Sequence, residues 1–391
     1  MSPASHGDTS VVMPLHRADA ADRLLTEMSL VSILIPCFQE RDFIRACLES
    51  VMAFDLPDGT ATEILVIDGI STDGTRVIAT DLAARDERIR LIDNPARSQS
   101  AGLNVGIALA GGEYVMRLDA HSLYPRDYLL HTIETARRTR ADNTGGVVAT
   151  MRRGSGYQSA LVQAITTHKF GVGDSGFRTD AEEGPADTVP YGCFRRQIFD
   201  RVGFFDERLI RAQDYEMNRR ILAAGGTVWR NPAIRVSYFQ QPDVASFLRK
   251  QVIHEAPYNA YLWYLAPYAF APRHAVTGVF AAGFILASLI SPVSSPVRWA
   301  FIAVMSVYLL LALLASIQQA IRYHEPRHVV AGPIAFFLYH FLHGVGVLAG
   351  LVRLLLGIAP VQQKKEPWPG AGRQRAWPIG ESTANPNVAG S

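Results

Sequence analysis

Five short apolar runs, at 31–36, 63–67, 89–92, 113–118 and 145–151, alternate with helical patterns at 42–54, 74–86, 98–110 and 125–140. This alternation constrains the fold most, because strands joined through helices pair in parallel and need helices on both faces of the sheet. The first two runs are Val, Ile and Leu with little polar alternation, as strands buried on both faces are. Asp42 and Asp73 stand where helix caps belong, and Gly111-Gly112 closes the helix before the fourth run. Ligands of an open α/β sheet bind beyond the carboxyl ends of its strands. Chemistry is therefore expected near Glu40, Asp68 and Asp119, which close or follow the first, second and fourth runs.

A different composition takes over near residue 270. Before it, charged and apolar residues mix, whereas Ala275 to Leu356 is mostly Ala, Val, Leu, Ile, Phe and Gly. Apolar segments near 275–290, 297–317 and 329–357 read as two to three membrane spans, since a span takes about 20 residues. The first reaches that length only with its flanks, and the third exceeds it. Val244 to Tyr264 interleaves Phe247, Leu248, Val252, Tyr258 and Trp263 with Arg249, Lys250 and His254. That pattern suits a helix lying in the membrane interface, interrupted at Pro257. The expected order is a flexible tail over 1–29, an α/β domain over 30–242, an interfacial region over 243–270, spans over 271–360 and a flexible tail over 361–391. Three crossings would put Lys364, Lys365, Arg373 and Arg375 on the far side from the α/β domain, against the tendency of cations to stay in the cytoplasm. Either the third segment turns back at Gly344 to Gly350, or the tail departs from the tendency.

Charge and cysteines exclude several classes. With 38 basic and 36 acidic residues, a net charge of +2, no global field recruits nucleic acid. Cys37, Cys47 and Cys193 form no close pair and no metal-ligand spacing, which fits a reducing compartment and argues against disulfides or a zinc site. Residues 1–28 hold no apolar stretch that could serve as a signal-peptide core, so the α/β domain is expected in the cytoplasm. The loop 171–185 is long for a compact domain and suits either a lid or a disordered segment. Gly171-Val-Gly-Asp-Ser-Gly176 has the glycine spacing of a dinucleotide site but follows a helical stretch rather than a strand, so it reads as coincidence.

Ile64-Leu-Val-Ile-Asp-Gly-Ile-Ser-Thr-Asp-Gly-Thr75 is a strand, a polar turn and a helix start. Asp68 there can accept from a base or ribose donor, and the turn exposes amides at a helix N-terminus. Together with Pro36-Cys-Phe-Gln-Glu40 and Leu118-Asp-Ala-His121, the sequence resembles the inverting family 2 glycosyltransferases of the GT-A fold. The likeness covers about residues 30 to 265 and runs through Ser98-Gln-Ser-Ala-Gly-Leu-Asn-Val-Gly-Ile107, Tyr191-Gly-Cys-Phe-Arg-Arg-Gln197, Val202-Gly-Phe-Phe-Asp-Glu207 and Gln213-Asp-Tyr-Glu216. Within that family it is similar to the bacterial exopolysaccharide glucosyltransferases of the succinoglycan type, which share Arg-x-Asp-Ala-His and a membrane tail. The resemblance implies a Rossmann-like, mostly parallel sheet with helices on both faces, followed by α-helical membrane segments. It implies that Pro36, Glu40 and Asp68 hold the nucleotide, and that Asp119 and His121 hold the diphosphate through a divalent metal. Asp214 is then the base. Ser98, Asn104, Arg195 and Arg196 are expected at the substrate, the two arginines as phosphate contacts at a helix start.

Residue chemistry fits these roles. A diphosphate must leave, and a cation held by Asp119 offsets its growing charge. His121 stands where the family has Asp, and nitrogen ligation favours manganese over magnesium. Asp214 opens a helix, where a carboxylate can be positioned to take a proton from an acceptor hydroxyl. Gln213 stands where the family usually has Glu, a second carboxylate that would raise the pKa of the base. The expected reaction moves one sugar, glucose in the first instance, from a nucleotide-diphosphate sugar to a polyprenyl-diphosphate-linked saccharide at the inner membrane. Gln251-Val-Ile-His-Glu-Ala in place of Gln-x-x-Arg-Trp favours single addition over processive synthesis. The rival readings are a polyprenyl-phosphate sugar synthase and a non-catalytic membrane scaffold with a nucleotide pocket.

Overall fold

The computed structural model describes residues 29–173, 176–178 and 182–363. Its sheet holds β1 (Ser29–Cys37), β2 (Thr60–Asp68), β3 (Ile89–Asp93), β4 (Tyr114–Arg117), β5 (Asn143–Met151), β6 (Gly184–Pro185), β7 (Cys193–Arg195) and β8 (Val228–Phe239), in the order β3-β2-β1-β4-β7-β5-β8-β6. β3, β2, β1 and β4 are mutually parallel, β7 is antiparallel to both neighbours, β8 is parallel to β5, and β6 is antiparallel at the edge. Cys37 pairs with Asp68 and Leu34 with Arg117, so the carboxyl ends of the three central strands come together.

Helices cover both faces because strand side chains alternate. Val31, Ile33 and Ile35 of β1 pack with α1 (Ile44–Met52), α2 (Thr75–Ala83) and α4 (Tyr128–Thr139), through Leu48, Leu82 and Leu129 among others. Leu34, Leu65 and Ile67 face α3 (Gln99–Leu109) on the other side, in a cluster that also takes in Phe199 of α7 (Ile198–Val202) and Met217 of α8 (Gln213–Ala223). Asp73 stands one residue before the cap position, which Gly74 holds, and accepts from the Thr75 amide at 3.0 Å. Asp42 does not cap, since α1 starts at Ile44 with Phe43 before it and no side-chain cap.

The second half departs from the sequence reading. A helix was expected from residue 195, but Cys193–Arg195 is a strand and the helix begins at Ile198. β8 lies where no strand was expected. It contains Pro232 and four ionisable or amide side chains, and its register with β5 slips between Gly145 and Val147. After β5 come α5 (Tyr157–Thr166), the single turn α6 (Lys169–Val172) and a 3-10 turn at Gly176–Arg178. Gly171 lies inside α6 and no strand precedes it directly, so the glycine spacing there is not a dinucleotide loop.

Asp243 opens the C-terminal part by accepting from the Ser246 amide at 2.8 Å. α9 (Val244–Lys250) passes through a π-helical turn at Gln251–Glu255 into α10 (Ala256–Leu265), and the turn absorbs Pro257 without breaking the run. α11 (Pro272–Ile290), α12 (Ser295–Arg322) and α13 (His328–Leu355) follow, then the short α14 (Pro360–Gln363). α11, α12 and the stretch from α13 onward are each long and apolar enough to cross a membrane. α13 runs unbroken through Gly344 to Gly350, so the expected turning point is absent.

Candidate active site

The carboxyl end of β4 carries Arg117, Leu118 and Asp119 in sequence, and Arg117 is almost fully buried. Its guanidinium lies between two carboxylates. Nη2 donates to Asp119 Oδ1 at 2.6 Å and Nη1 to Asp214 Oδ2. Tyr191 stacks 5.4 Å from the same guanidinium. Residues 97 positions apart are thus joined by one side chain. Gln99 Nε2 donates to Asp119 Oδ1 at 2.8 Å, and Gln213 Nε2 in turn donates to Gln99 Oε1. The Asp119 amide donates to Tyr124 Oη at 2.8 Å, and that hydroxyl donates back to the Asp119 carbonyl at 3.2 Å, fixing the turn.

Asp214 stands at the N-terminus of α8, preceded by Ala212 at φ 62°. Gln39 (φ 58°), Ile70 (φ 59°) and Tyr191 (φ 49°) are also left-handed without being glycine. Such backbone costs about 1–3 kcal/mol per residue and clusters at functional sites. Here all four adjoin the carboxyl ends of the strands or the start of α8. Burial lifts the Asp214 carboxyl above the ordinary range, Arg117 pulls it down, and the Asp119 charge adds to the rise. One carboxylate oxygen is held by Arg117 and the other, Oδ1, has no protein partner.

His121 Nδ1 lies 3.0 Å from Glu40 Oε1, and that bond holds its pKa above the usual histidine value. In the neutral ring, an Nδ1 proton given to Glu40 leaves the Nε2 lone pair free, as in ligating histidines oriented by a carboxylate. Nε2 of His121 is 4.0 Å from Asp119 Oδ2. Adjacent ligands at about 2.1 Å on one divalent ion stand about 3.0–3.4 Å apart, so the two atoms would share the implied metal after a shift of about 1 Å or less by the partly exposed His121 side chain. Among the described residues no cluster of three or more His, Cys, Asp or Glu forms a metal site. The remaining ligands would come from the donor and water.

The turn after β1 is laced to the turn after β2. The Gln39 amide donates to Ser71 Oγ at 3.0 Å, Gln39 Oε1 accepts from the Thr72 and Asp73 amides at 3.1 Å, and the Glu40 amide donates to Thr75 Oγ1 at 2.8 Å. Asp68 is fully buried and accepts from the Ser71 amide at 3.1 Å and from Arg76 at 3.2 Å. Pro36 is buried on β1 against the start of α3. Ser98 caps α3 by accepting from the Ala101 amide at 3.3 Å.

Pro36, Glu40, Asp68, Ser98, Asp119, His121 and Asp214 therefore gather at one end of the sheet. Three expected site residues lie apart. Arg195 pairs with Tyr114, three strand residues (about 10 Å) upstream of Arg117, and the Arg196 amide donates to the Glu113 carbonyl. Both occupy the opposite end of β4, because β7 runs antiparallel, and a phosphate-contact role for them is withdrawn. Asn104 is buried and fully engaged, with Nδ2 donating to the Phe205 carbonyl and Glu207, and Oδ1 accepting from the Phe205 amide. It fastens the loop before α8 rather than reaching substrate. Conversely, Arg117 and Gln99 join the site without having been assigned a role, and Gln213, read from the sequence as bearing on the acid-base tuning, reaches Asp119 through Gln99. For Arg117 the signal was present: a cation closing a strand otherwise apolar.

A cavity of about 770 Å³ opens from Arg117, Asp119 and Asp214. Its far wall is made by Thr277 and Phe280 of α11, Tyr308 of α12, and His340 and His343 of α13. Cys37 Sγ donates to Asp68 Oδ1 at 3.8 Å and Cys47 Sγ to the Asp119 carbonyl at 3.5 Å, behind the site; all three cysteines are buried, and burial raises each thiol's pKa.

A sheet of this order, with an aspartate–histidine pair beyond its fourth strand and a second aspartate at a nearby helix start, defines a GT-A-type glycosyltransferase domain. Residues 32–203 match the family described as Glycosyl transferase family 2, so the chain carries a family 2 glycosyltransferase domain. The mannosyltransferase PcManGT from Pyrobaculum calidifontis, solved with GDP-Man and Mn2+, superposes with a TM-score of 0.51 at 18% identity, over 86% of this chain and 92% of that one, which shows the shared fold. Succinoglycan biosynthesis protein ExoA of Rhizobium meliloti is 36% identical over 223 residues, 56% of this chain and 66% of that protein, just under two thirds of its length. The dolichyl N-acetyl-alpha-D-glucosaminyl phosphate 3-beta-D-2,3-diacetamido-2,3-dideoxy-beta-D-glucuronosyltransferase of Methanococcus voltae is 29% identical over 339 residues, 83% of this chain and 98% of that one.

Proposed function

We propose that this chain is a membrane-bound inverting hexosyltransferase of exopolysaccharide synthesis. It moves one glucose from UDP-glucose to a polyprenyl-diphosphate-linked saccharide at the cytoplasmic face of a bacterial inner membrane. The observation that carries this reading is a continuous cavity that runs from Asp119 and Asp214 to side chains of three apolar helices. Polar groups on such helices are costly in lipid and mark functional pathways. Thr277, Tyr308, His340 and His343 all face this one. A water-soluble acceptor needs no opening in that direction, whereas a lipid-linked one does. The names of two relatives, one for succinoglycan biosynthesis and one for transfer to a dolichyl phosphate-linked sugar, support the same class of acceptor.

In this reading Asp214 Oδ1 takes the proton of the acceptor hydroxyl while the hydroxyl oxygen attacks the anomeric carbon. The bond from that carbon to the diphosphate breaks on the opposite side, so the configuration inverts. Arg117 holds the other Asp214 oxygen and opposes the rise that burial gives the carboxyl. Asp119 and His121 hold the divalent ion, manganese by preference, which when bound offsets the charge that grows on the leaving diphosphate. Glu40 orients His121, and Asp68 lies beside the nucleotide. The unpartnered Asp214 oxygen favours a hydroxyl acceptor over a lipid phosphate, which needs no base.

The test uses membranes containing the full chain, a panel of radiolabelled UDP-sugars and an endogenous lipid-linked acceptor fraction. UDP-glucose should label the lipid fraction, and Asp214→Asn should not. Labelling from every UDP-sugar except UDP-glucose would refute the donor assignment, and undiminished labelling by the Asn variant would refute the base.

A further inference from the structure

Length and composition allow α11, α12 and α13 to cross a membrane alike. The packing of their ends distinguishes them. We infer that the chain crosses the membrane twice, as the α11–α12 hairpin. α13 then lies along the membrane face of the α/β domain, with both ends on that domain's side and its outer face in lipid.

The two ends of α13 are fastened to one domain. At its start, His328 stacks on Tyr157 of α5 at 5.6 Å and Arg327 covers the same ring at 4.2 Å. Phe336 packs with Leu161, Val162 and Ile165 of that helix. At the far end, Leu354, Ala359 and Val361 pack with Leu209, Tyr258 and Leu262. Leu209 is part of the α/β domain, since its carbonyl accepts from Ser100 of α3 at 2.9 Å. Between these points α13 follows α9, the π turn and α10. Phe247 meets Tyr339, and Gly346 and Gly350 lie so close that a Cβ there would stand 2.7 Å from the carbonyl oxygens of Val252 and Pro257.

A helix of 28 residues is about 42 Å long, and the hydrocarbon layer is about 30 Å thick. If α13 crossed it, Tyr157 and Leu209 would stand on opposite sides, and the sheet between them, with its ion pairs, would lie in hydrocarbon. Such a placement is excluded by the cost of buried backbone edges and charges in lipid. Exposed Val330, Ile334, Val352 and Leu355 give α13 an apolar outer face, which lipid covers.

α11 and α12 behave differently. α11 leaves the domain at Arg273, which pairs with Asp187 and covers the Tyr215 ring at 5.3 Å. α12 returns to it, where Gln319 donates to the Ala164 carbonyl and Tyr323 Oη lies 2.8 Å from Thr167 Oγ1. The 19 residues of α11 span about 28 Å, close to one hydrocarbon thickness. The hairpin tip is exposed at Val293, and between residues 281 and 300 the one ionisable side chain is Arg298. This arrangement keeps Arg327 and Arg353, near the two ends of α13, on the side of the α/β domain, as the cation tendency asks.

Single cysteines read the topology of the full chain in cells, because Cys37, Cys47 and Cys193 are buried and can stay. Val293→Cys marks the tip, Gln363→Cys the end of α14 and Val77→Cys the exposed surface of α2. Ser295→Cys and Ile358→Cys replace any variant that fails to accumulate. With a membrane-impermeant maleimide, Val293→Cys should react in intact cells, and the other two only after permeabilisation. Reaction of Gln363→Cys together with Val293→Cys in intact cells means three crossings and overturns the inference. Protection of all three until permeabilisation means the hairpin does not cross, and also overturns it. Reaction of Val77→Cys and Gln363→Cys, but not Val293→Cys, in intact cells would uphold two crossings while refuting the cytoplasmic placement of the domain.

Discussion

Replacing Arg117 by methionine separates the metal-side carboxylate from the base. Arg117 is almost entirely out of water and bonds both Asp119 and Asp214. Methionine approximates its stem and removes its charge. Asp214 is already raised by burial, with Arg117 the group that lowers it. An adjacent arginine lowers an aspartate by about 1–3 units, worth about 1.4–4 kcal/mol. The sign follows. A base works only when ionised, so activity falls as pH drops through its pKa, and loss of Arg117 should move the acid limb of kcat upward by about 1–3 units. Stability should fall by about 3–5 kcal/mol, the effect of stranding buried charges, so folding is checked first by thermal denaturation. Arg117→Lys keeps a point charge but not the two-sided fork, and should restore most of the pH profile with a reduced rate. The assay is transfer of labelled glucose from pH 4.5 to 9 under donor saturation. A folded methionine variant with an unmoved acid limb would refute the coupling of Arg117 to Asp214.

Three further outcomes are expected. Asp214→Asn should retain donor affinity by calorimetry while turnover drops about 10²–10⁴-fold; proportional loss of both would remove it from the mechanism. Asp119→Ala should abolish metal-dependent donor binding, Glu40→Gln should weaken metal affinity about 10–100-fold, and His121→Asp should shift preference from manganese towards magnesium, each read by metal titration of donor binding. Asn104→Ala should cost about 1–3 kcal/mol in denaturant unfolding and leave donor affinity unchanged, and a selective loss of donor binding would return it to the substrate.

Strands legible in the sequence were those whose burial on both faces writes an unbroken apolar run, such as Ile33 to Ile35 and Ile64 to Ile67. β8 escaped because an outer strand beside the short β6 tolerates Arg230, Asn231 and Pro232, which in a central strand would argue against pairing. β7 is three residues long, too short for any period, and missing it put Arg195 and Arg196 at the wrong end of the sheet. The motif residues Asp119, His121 and Asp214 could be picked from local sequence. Their connections could not, because Arg117 to Asp214 and Gln99 to Gln213 are contacts across about a hundred residues, made only when the sheet and α8 close on one another. Asn104 sits in a suggestive stretch, yet its partners at Phe205 and Glu207 show it holding a loop.

The continuous attachment of α13 to the α/β domain has a mechanical meaning. A catalytic domain tethered by one linker could swing over the bilayer and meet hydroxyls at many heights. Here the keel is fixed at Tyr157, at Val252 and Pro257, and at Leu209, so with α13 along the membrane as inferred above, Asp214 would stand at one elevation above the lipid. For the proposed lipid-linked acceptor, a glycan whose terminal hydroxyl lies one sugar nearer to the lipid, or one farther, would present it below or above Asp214, and chain length would be selected by geometry before any sugar is recognised.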